Sequence, residues 1–193
     1  MFKKKSTLNF QKKRKRFPVE KARYLLILFL ETALVVLLSF LTVKAFGMQF
    51  DIPGGSMEPT LLDKDVVLLN KFKYIVFSPE KDDIIVFQPA GNLNAKTSVK
   101  RVVGVPGDKI LISGGNLYVN GTRYKDKAET EPMKDAGRAK TEMVLTDDEY
   151  FVLGDNRNSS EDSRYETVSN VKKSEIIGKV WFCITKERFG FVY

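Results

Sequence analysis

Apolar and polar segments alternate along the chain. One long apolar segment comes first, and several short ones follow it. The long segment, Tyr24–Val43, contains a single charged residue, Glu31. As a helix rising about 1.5 Å per residue it would span about 30 Å, the thickness of a hydrocarbon core. A buried helix of that length would have a polar face, which this segment hardly has. The pattern therefore predicts a transmembrane anchor over residues 24–46.

The later apolar segments are short and rich in β-branched and aromatic side chains, which is typical of strands. They are Val66–Leu69, Ile84–Phe87, Val99–Val105, Ile110–Ile112, Leu117–Val119, Tyr150–Leu153 and Ile176–Ile184. Gly114-Gly115 and Asn120-Gly121 fit two-residue turns, so the strands around them should form a meander. Residues 47–193 are predicted to form one mainly β domain of antiparallel sheets, with the polar segment 125–140 as an exposed loop.

Positive charge is concentrated before the long apolar segment. Residues 1–23 contain ten Lys or Arg and one acid, and the rest of the chain contains 22 basic and 23 acidic residues. The net charge of +8 therefore belongs to this arm. Because positive flanks stay on the cytoplasmic side of a membrane span, we expect a cytoplasmic arm over residues 1–23 and an extracytoplasmic domain over residues 47–193.

A cleaved signal peptide is the alternative interpretation of the N-terminal region. Ala45-Phe46-Gly47 would place small residues three and one before a cut. The long basic region and the length of the apolar run favour an uncleaved anchor. Glu31 indicates a contact within the membrane or a short, tilted span, and it hints at a helix partner there.

The chain contains no histidine and a single cysteine, Cys183. These counts exclude a Ser-His-Asp triad, a Cys-His dyad, an HExxH zinc site, an intrachain disulfide and a cysteine-based metal cluster. If the protein is an enzyme, Lys, Asp, Glu or Tyr must move its protons.

Three polar segments could carry chemistry, and the first is Asp51–Thr60. It begins so soon after the apolar span that Ser56 lies within roughly 40 Å of the bilayer surface even if the chain is extended. Pro53 and Gly54-Gly55 allow a sharp turn, after which a serine can present its hydroxyl and a free N–H. By itself, a Gly-Gly-Ser sequence is more typical of an ordinary loop.

The second segment, Ser98–Asp108, contains two neighbouring cations in a predicted strand. Alternation places Lys100 and Arg101 on opposite faces, both of which look half-apolar, so one of the two should be buried. Burial lowers the pKa of a lysine. To accept a proton near neutral pH, that pKa would have to fall from about 10.4 to near 7, which corresponds to about 4 kcal/mol. A lysine at a strand edge, with its amine in water, is the more common case.

The third segment, Gly154–Arg164, consists almost entirely of side chains that form hydrogen bonds. A calcium loop would have Asp155 at position 1 and Glu166 at position 12. That site is rejected because Arg157 stands at position 3 and Ser160 at position 6, where glycine is required. A buried polar network around a site and a solvated turn both remain open for this segment alone.

Together, these segments resemble the type I signal peptidases of bacteria. The motifs are GGSMEPTL, KDDIIVF, KRVVGVPGDKI and GDNRNSSEDSR, in that order behind an N-terminal anchor and over almost all of residues 47–193. The short region between the last two motifs is similar to that of the compact members from Gram-positive bacteria. The resemblance implies a signal-peptidase-like β fold and a Ser-Lys dyad, which suits a chain without histidine.

The resemblance also implies roles for individual residues. Ser56 would be the nucleophile, and Lys100, kept neutral by burial, the general base. The Ser56 backbone N–H would be one oxyanion-hole donor. Some family members supply the second from a serine two residues earlier, where this chain has Gly54, so a Gly54 backbone group or a water is the alternative. The supporting residues would be Ser160, which orients the lysine amine, the pairs Asp155–Arg101 and Asp162–Arg164, and Met57, which packs beside the nucleophile.

The implied activity is that of a membrane-anchored serine endopeptidase that removes signal peptides from exported preproteins. Its cut would follow a small-x-small motif, with the substrate bound as a strand against a β edge. No metal or cofactor is expected. The expected partners are preproteins with signal peptides, membrane lipid and the secretion machinery, and not nucleic acid.

Two other classes of protein would share some of these features. A membrane-tethered β module that binds emerging chains would explain the anchor and the sheets, but it would not need Ser56 and Lys100. A nucleic-acid-binding protein would use the basic arm. The apolar span directly after that arm argues against it, and the strands lack interleaved cations and aromatics. Self-cleaving repressors of the Ser-Lys type carry a DNA-binding domain where this chain has its span.

Overall fold

The computed structural model describes residues 18–89, 97–128 and 130–193. Most of the predicted basic arm therefore lies outside the described residues. The chain divides into two units, one ending at Leu41 and one spanning Thr42–Tyr193.

The N-terminal apolar segment is a single helix, α1, which spans Val19–Phe46. It begins five residues before the predicted apolar run, directly after Pro18, a residue that suits the start of a helix. Its side chains from Val19 to Lys44 are exposed, and the stretch is long and apolar enough to cross a membrane by length and composition. The prediction of one N-terminal apolar helix is confirmed.

The second unit is built mainly from strands, as the β-branched segments predict. The strands are β1 (Met48–Asp51), β2 (Val66–Asn70), β3 (Ile84–Phe87), β4 (Ser98–Gly104), β5 (Lys109–Ser113), β6 (Asn116–Val119), β7 (Thr122–Arg123), β8 (Met143–Val144), β9 (Glu149–Leu153), β10 (Val171–Lys172), β11 (Ile176–Cys183) and β12 (Gly190–Phe191). A short helix, α2 (Lys73–Val76), follows β2, and 3-10 turns span Gly137–Lys140, Lys173–Glu175 and Lys186–Arg188.

The larger sheet brings together strands that are distant in sequence. Its order is β1-β2-β11-β3-β4-β9-β10, with β12 also paired to β11, and all of these neighbouring strands are antiparallel. Strand β11 lies between β2 and β3, so it joins the β1–β2 hairpin to β3 and β4. The prediction of a mainly β fold with antiparallel sheets is confirmed.

The smaller sheet has the order β7-β6-β5-β8 and contains the predicted meander. Its two tight turns have left-handed backbone at Gly114 (φ 56°), Gly115 (φ 78°), Asn120 (φ 53°) and Gly121 (φ 75°). Left-handed pairs match the twist of the strands they connect, and glycine and asparagine adopt them at low cost.

Three apolar clusters fill the interior of the second unit. One includes Met57, Leu61 and Val86, and a second packs the smaller sheet against β9 through residues such as Ile110 and Phe151. The third lies around Ile85, Val102 and Tyr150. The segments that contain the candidate site residues are therefore attached to packed strands.

The polar segment 125–140 differs from its predicted form. It carries no strand among its described residues, as expected, but Met133 and Ala139 are buried and pack in the cluster beneath the smaller sheet. Two apolar side chains within a polar sequence therefore hold this loop against the domain.

Candidate active site

The predicted nucleophile lies in the turn that connects β1 to β2. Two backbone hydrogen bonds form this turn, from Glu58 N to Gly55 O (3.2 Å) and from Leu61 N to Met57 O (3.0 Å). Met57, the next residue after Ser56, is fully buried in an apolar cluster. The turn is thus anchored on one side by a core side chain, while Ser56 itself is half-buried.

The predicted base reaches Ser56 from the middle of the larger sheet. Lys100 lies on β4 opposite Ile85 of β3, and its Nζ is 2.8 Å from the Ser56 Oγ. Only 4% of Lys100 is exposed. Burial lowers the pKa of its amine, and the negative charges of Asp162 and Glu161 act against that lowering. The geometry and the lowered pKa both suit an amine that accepts the hydroxyl proton of Ser56.

The neighbouring cation is buried as well, on the opposite face of β4. Arg101 forms two hydrogen bonds with Asp155, from Nε to Oδ1 (2.9 Å) and from Nη2 to Oδ2 (2.7 Å). Its Nη1 donates to the backbone oxygens of Asp82 and Tyr193. The pattern predicted burial of one of the two cations, and the structure buries both. A guanidinium with a full set of acceptors can be buried while charged.

The carboxylate of Asp155 also connects this pair to the nucleophile segment. Its Oδ2 accepts a hydrogen bond of 2.6 Å from the Thr60 hydroxyl. Asp155 therefore holds together β4 and the segment that follows Ser56. The predicted Asp155–Arg101 pair is present, and it contacts neither Ser56 nor Lys100 through a hydrogen bond.

The predicted pair Asp162–Arg164 organises the polar segment after β9. Arg164 donates from Nε and Nη2 to the Asp162 carboxylate at 2.8 and 3.0 Å, and both side chains are almost fully buried. Asp162 also accepts from the Gly154 backbone N–H at 3.1 Å. The buried polar network, rather than the solvated turn, is thus the form this segment takes.

Ser160 lies close to the turn that contains Ser56 without forming the contact expected with Lys100. An ideal Cβ built on Gly154 would lie 2.2 Å from the Ser160 Oγ and 2.5 Å from the Ser56 carbonyl oxygen, so Gly154 separates these two serines. Among the described residues the buried Ser160 Oγ has no hydrogen-bond partner. The orienting bond from Ser160 to the Lys100 amine is therefore not formed here, although Ser160 borders the site.

The backbone N–H of Gly54 does not have the free position that its predicted role requires. It donates to the Asp63 Oδ1 at 2.7 Å, with Gly54 in the left-handed region (φ 76°). A donor already bound to a carboxylate is not available to a developing oxyanion. Of the two predicted alternatives for the second oxyanion-hole donor, the Gly54 N–H is thus occupied and the water remains, while the Ser56 N–H stays the predicted first donor.

Three residues near the site were not singled out from the sequence. Thr60 and Asn156 lie inside the quoted motifs, so their contacts with Asp155 and with the Gly55 and Ser56 carbonyls could have been suspected. Asp63 had no distinguishing pattern. Within residues 18–89, 97–128 and 130–193, no three His, Cys, Asp or Glu side chains are grouped so as to hold a metal ion. The expectation that no metal or cofactor is needed stays a prediction.

Comparisons with known proteins identify the family. Residues 22–185 match the model of "Signal peptidase, peptidase S26". The chain is 34% identical over 171 residues to signal peptidase IB of Staphylococcus aureus, covering 81% of this chain and 86% of that protein. It is 32% identical over 157 residues to signal peptidase I P of Bacillus subtilis subsp. natto, covering 77% and 83%.

Two further matches are shorter. A probable signal peptidase I-2 of Synechocystis sp. is 42% identical over 119 residues, 59% of this chain and 53% of that protein, so the chain spans about half of its length. A crystal structure of a signal peptidase I from Enterococcus faecalis is 27% identical, with a TM-score of 0.44, and covers 53% of this chain and 97% of that one. The resemblance seen in the motifs is confirmed, and the chain belongs to the signal peptidase family, peptidase S26, whose members are hydrolases.

Proposed function

We propose that the protein is a membrane-anchored serine endopeptidase that removes N-terminal signal peptides from exported preproteins, with Ser56 as nucleophile and Lys100 as general base. The observation that carries this proposal is the distance of 2.8 Å between the Lys100 Nζ and the Ser56 Oγ, with the lysine buried. The family assignment supports the same substrate class.

The first half of the reaction transfers the acyl group to the enzyme. The neutral Lys100 amine takes the hydroxyl proton as the Ser56 Oγ attacks the scissile carbonyl carbon. The carbonyl oxygen becomes an oxyanion, which the Ser56 backbone N–H stabilises. When the tetrahedral intermediate collapses, the C–N bond breaks, and the Lys100 ammonium returns its proton to the leaving amine of the mature protein.

The second half releases the signal peptide. Lys100, neutral again, takes a proton from a water as that water attacks the acyl carbon. The ester bond to the Ser56 Oγ then breaks, and the lysine returns the proton to the serine oxygen. No other group is required to move protons in this scheme.

An open stretch of strand β4 supports extended binding of the substrate. On one side β4 pairs with β3 from Ser98 onwards, and on the other side β9 pairs with it only between Arg101 and Gly104. Residues Ser98–Lys100 thus have no strand on their second side among the described residues. A segment in extended form could pair there and bring its carbonyl next to Ser56. We propose that the residues one and three before the cut are small, as the family resemblance implies.

The membrane anchor is proposed to be residues 24–46 of α1, with residues 1–23 in the cytoplasm and residues 47–193 outside the cytoplasm. The helix has the required length and apolar composition. The concentration of Lys and Arg before it favours this orientation. Signal peptides present an apolar helix in the same bilayer, so an anchored site meets the following segment where it emerges. Membrane lipid and the secretion machinery are the proposed further partners.

Alanine substitutions test the proposed dyad. In a detergent-solubilised preparation of the full chain, Ser56→Ala and Lys100→Ala should each lower kcat for a secretory precursor by at least about 10³-fold, because each removes a group that takes part in the chemistry. The measurement is single-turnover cleavage, with the mass of both products to locate the cut. Far-UV circular dichroism checks that both variants keep the fold.

Other outcomes would favour other functions. Undiminished activity in Lys100→Ala would contradict the dyad. If the parent protein cleaves no precursor and both variants still bind emerging chains as the parent does, the membrane-tethered β module is favoured instead.

A further inference from the structure

The proposed reaction leaves open what directs the oxyanion-hole donor. With the Gly54 N–H bound to Asp63, the Ser56 N–H is the backbone donor assigned to the oxyanion. Its direction depends on the rotation of the Gly55–Ser56 peptide plane. Gly55 has no side chain to restrict that rotation, and glycine has the widest choice of backbone angles. Some other group must therefore hold the plane.

Two donors contact the oxygen of this peptide: the backbone N–H of Glu58 (3.2 Å), from within the same turn, and the side chain of Asn156, from outside it. The Asn156 side-chain Nδ2 donates to the Gly55 carbonyl oxygen at 3.2 Å, and the Asn156 backbone N donates to the Ser56 carbonyl oxygen at 3.1 Å. Asn156 follows β9 in the segment whose buried network contains the Asp162–Arg164 pair. The two hydrogen bonds thus attach two successive carbonyls of the nucleophile turn to a fixed part of the domain.

The geometry of the peptide bond gives these contacts a consequence. A trans peptide is planar, and its C=O and N–H point in opposite directions. A hydrogen bond that holds the Gly55 carbonyl toward Asn156 therefore directs the Ser56 N–H to the other side of the turn. A hydrogen bond to the carbonyl also polarises the same peptide and strengthens its N–H as a donor.

We propose that Asn156 is a positioning residue, whose side-chain amide fixes the Gly55–Ser56 peptide so that the Ser56 N–H points at the oxyanion. This inference rests on the proposed function. Asn156 touches no reacting atom and moves no proton. Its contribution appears when charge develops on the carbonyl oxygen of the substrate, because that is when a correctly aimed donor is stabilising.

The test compares the same substitution at two asparagines of one loop. Asn156→Ala removes the amide that holds Gly55. Asn158→Ala is the matched control, because the Asn158 amide contacts Glu131 and the Pro132 carbonyl oxygen instead of the nucleophile turn. Both are made in the full chain and assayed in detergent with one precursor peptide.

Asn156→Ala should lower kcat by about 10- to 100-fold with KM within two-fold of the parent, whereas Asn158→Ala should match the parent. A peptide aldehyde forms a tetrahedral adduct with a serine nucleophile, so its affinity for Asn156→Ala should fall by a factor similar to kcat. The affinity for the cleaved signal peptide, which has no oxyanion, should stay unchanged.

A second variant protects the test against a loss of folding. Asn156→Asp keeps the shape of the side chain but replaces the donor facing Gly55 with an oxygen. At the pH of maximal rate, kcat and the aldehyde affinity should therefore fall as in Asn156→Ala, with KM and the product affinity unchanged. The inference is overturned if kcat of the folded variant stays within two-fold of the parent. It is equally overturned if aldehyde and product affinities fall together. If the parent itself cleaves no precursor, the proposed function fails instead.

Discussion

Lys100 is nearly inaccessible to solvent. Its burial disfavours the charged form of its amine, and this makes the stability of the protein depend on pH. In the unfolded chain its pKa is close to the ordinary value of 10.5, and burial lowers it in the folded chain. Between these two pKa values the unfolded chain binds more protons, so stability rises with pH across that window. At lower pH the protonated, buried amine destabilises the fold. The proposed general base is therefore maintained at a cost in stability.

Replacing this amine with an apolar side chain of similar length should remove the pH dependence. We expect Lys100→Met to be at least as stable as the parent near pH 7, and its stability to change less as pH rises toward 10.5. Urea unfolding at a series of pH values measures this. Lys140→Met, at an exposed lysine, is the control and should follow the parent curve. Parallel curves for Lys100→Met and the parent would show that the amine carries no such penalty.

At the level of elements, the end of β9 and the nucleophile turn approach each other so closely that only a hydrogen atom fits between them. Gly154 is the residue at this contact, where an ideal Cβ would lie within 2.5 Å of both the Ser160 Oγ and the Ser56 carbonyl oxygen. These distances are far below van der Waals contact, and one of the partners is backbone. A side chain at this position must therefore displace the backbone of Ser56 and the side chain of Ser160.

Gly154→Ala should consequently lower kcat/KM by about 100-fold or more, because a shift of about 1 Å at a reacting group has an effect of that order. It should also destabilise the fold by about 1–3 kcal/mol through overpacking. Precursor cleavage and urea unfolding measure the two effects. Gly190→Ala is the matched control, since no atom lies within 4 Å of its built Cβ, and it should be neutral. Near-parental activity of Gly154→Ala would contradict the close contact.

The strands were predictable where several β-branched residues occur together, and less so where they do not. Ile84–Phe87 was predicted with the bounds of β3, and the Gly-Gly and Asn-Gly turns located the meander. Strand β1 was missed because Met48–Asp51, although it alternates apolar and polar residues, is only four residues long and contains no β-branched side chain. What stabilises β1 is its pairing with β2, a tertiary interaction that no local pattern records.

The contacts within the candidate site could likewise be predicted only in part from the sequence. The motifs identified Ser56 and Lys100, but the bond between Asp63 and the Gly54 N–H depends on how the turn closes. Likewise, no local pattern could show that both Lys100 and Arg101 are buried, because strands and acceptors from distant parts of the chain surround them.

For the whole molecule, the proposed orientation has a direct test that uses serine-to-cysteine substitutions on the two sides of α1. The native Cys183 is buried, with 2% of its surface exposed, so the parent protein should react only weakly with a maleimide. Ser113→Cys, at an exposed position of the second unit, should react with a membrane-impermeant maleimide in intact cells. Ser6→Cys, within the basic arm, should react only after lysis. Labelling in the reverse order would contradict a cytoplasmic arm.

The place of β11 between β2 and β3 has a consequence for the order of events during biosynthesis. The turn with Ser56 is connected to β2, and Lys100 lies on β4, which reaches β2 only through β3 and β11. Until residues 176–183 have been synthesised, the two halves of the sheet have no strand between them. A nascent chain that lacks β11 therefore contains Ser56 and Lys100 but not the strand that joins their two parts of the sheet. With the proposed function, catalytic competence would therefore arise only after β11 has been made and has paired with β2 and β3.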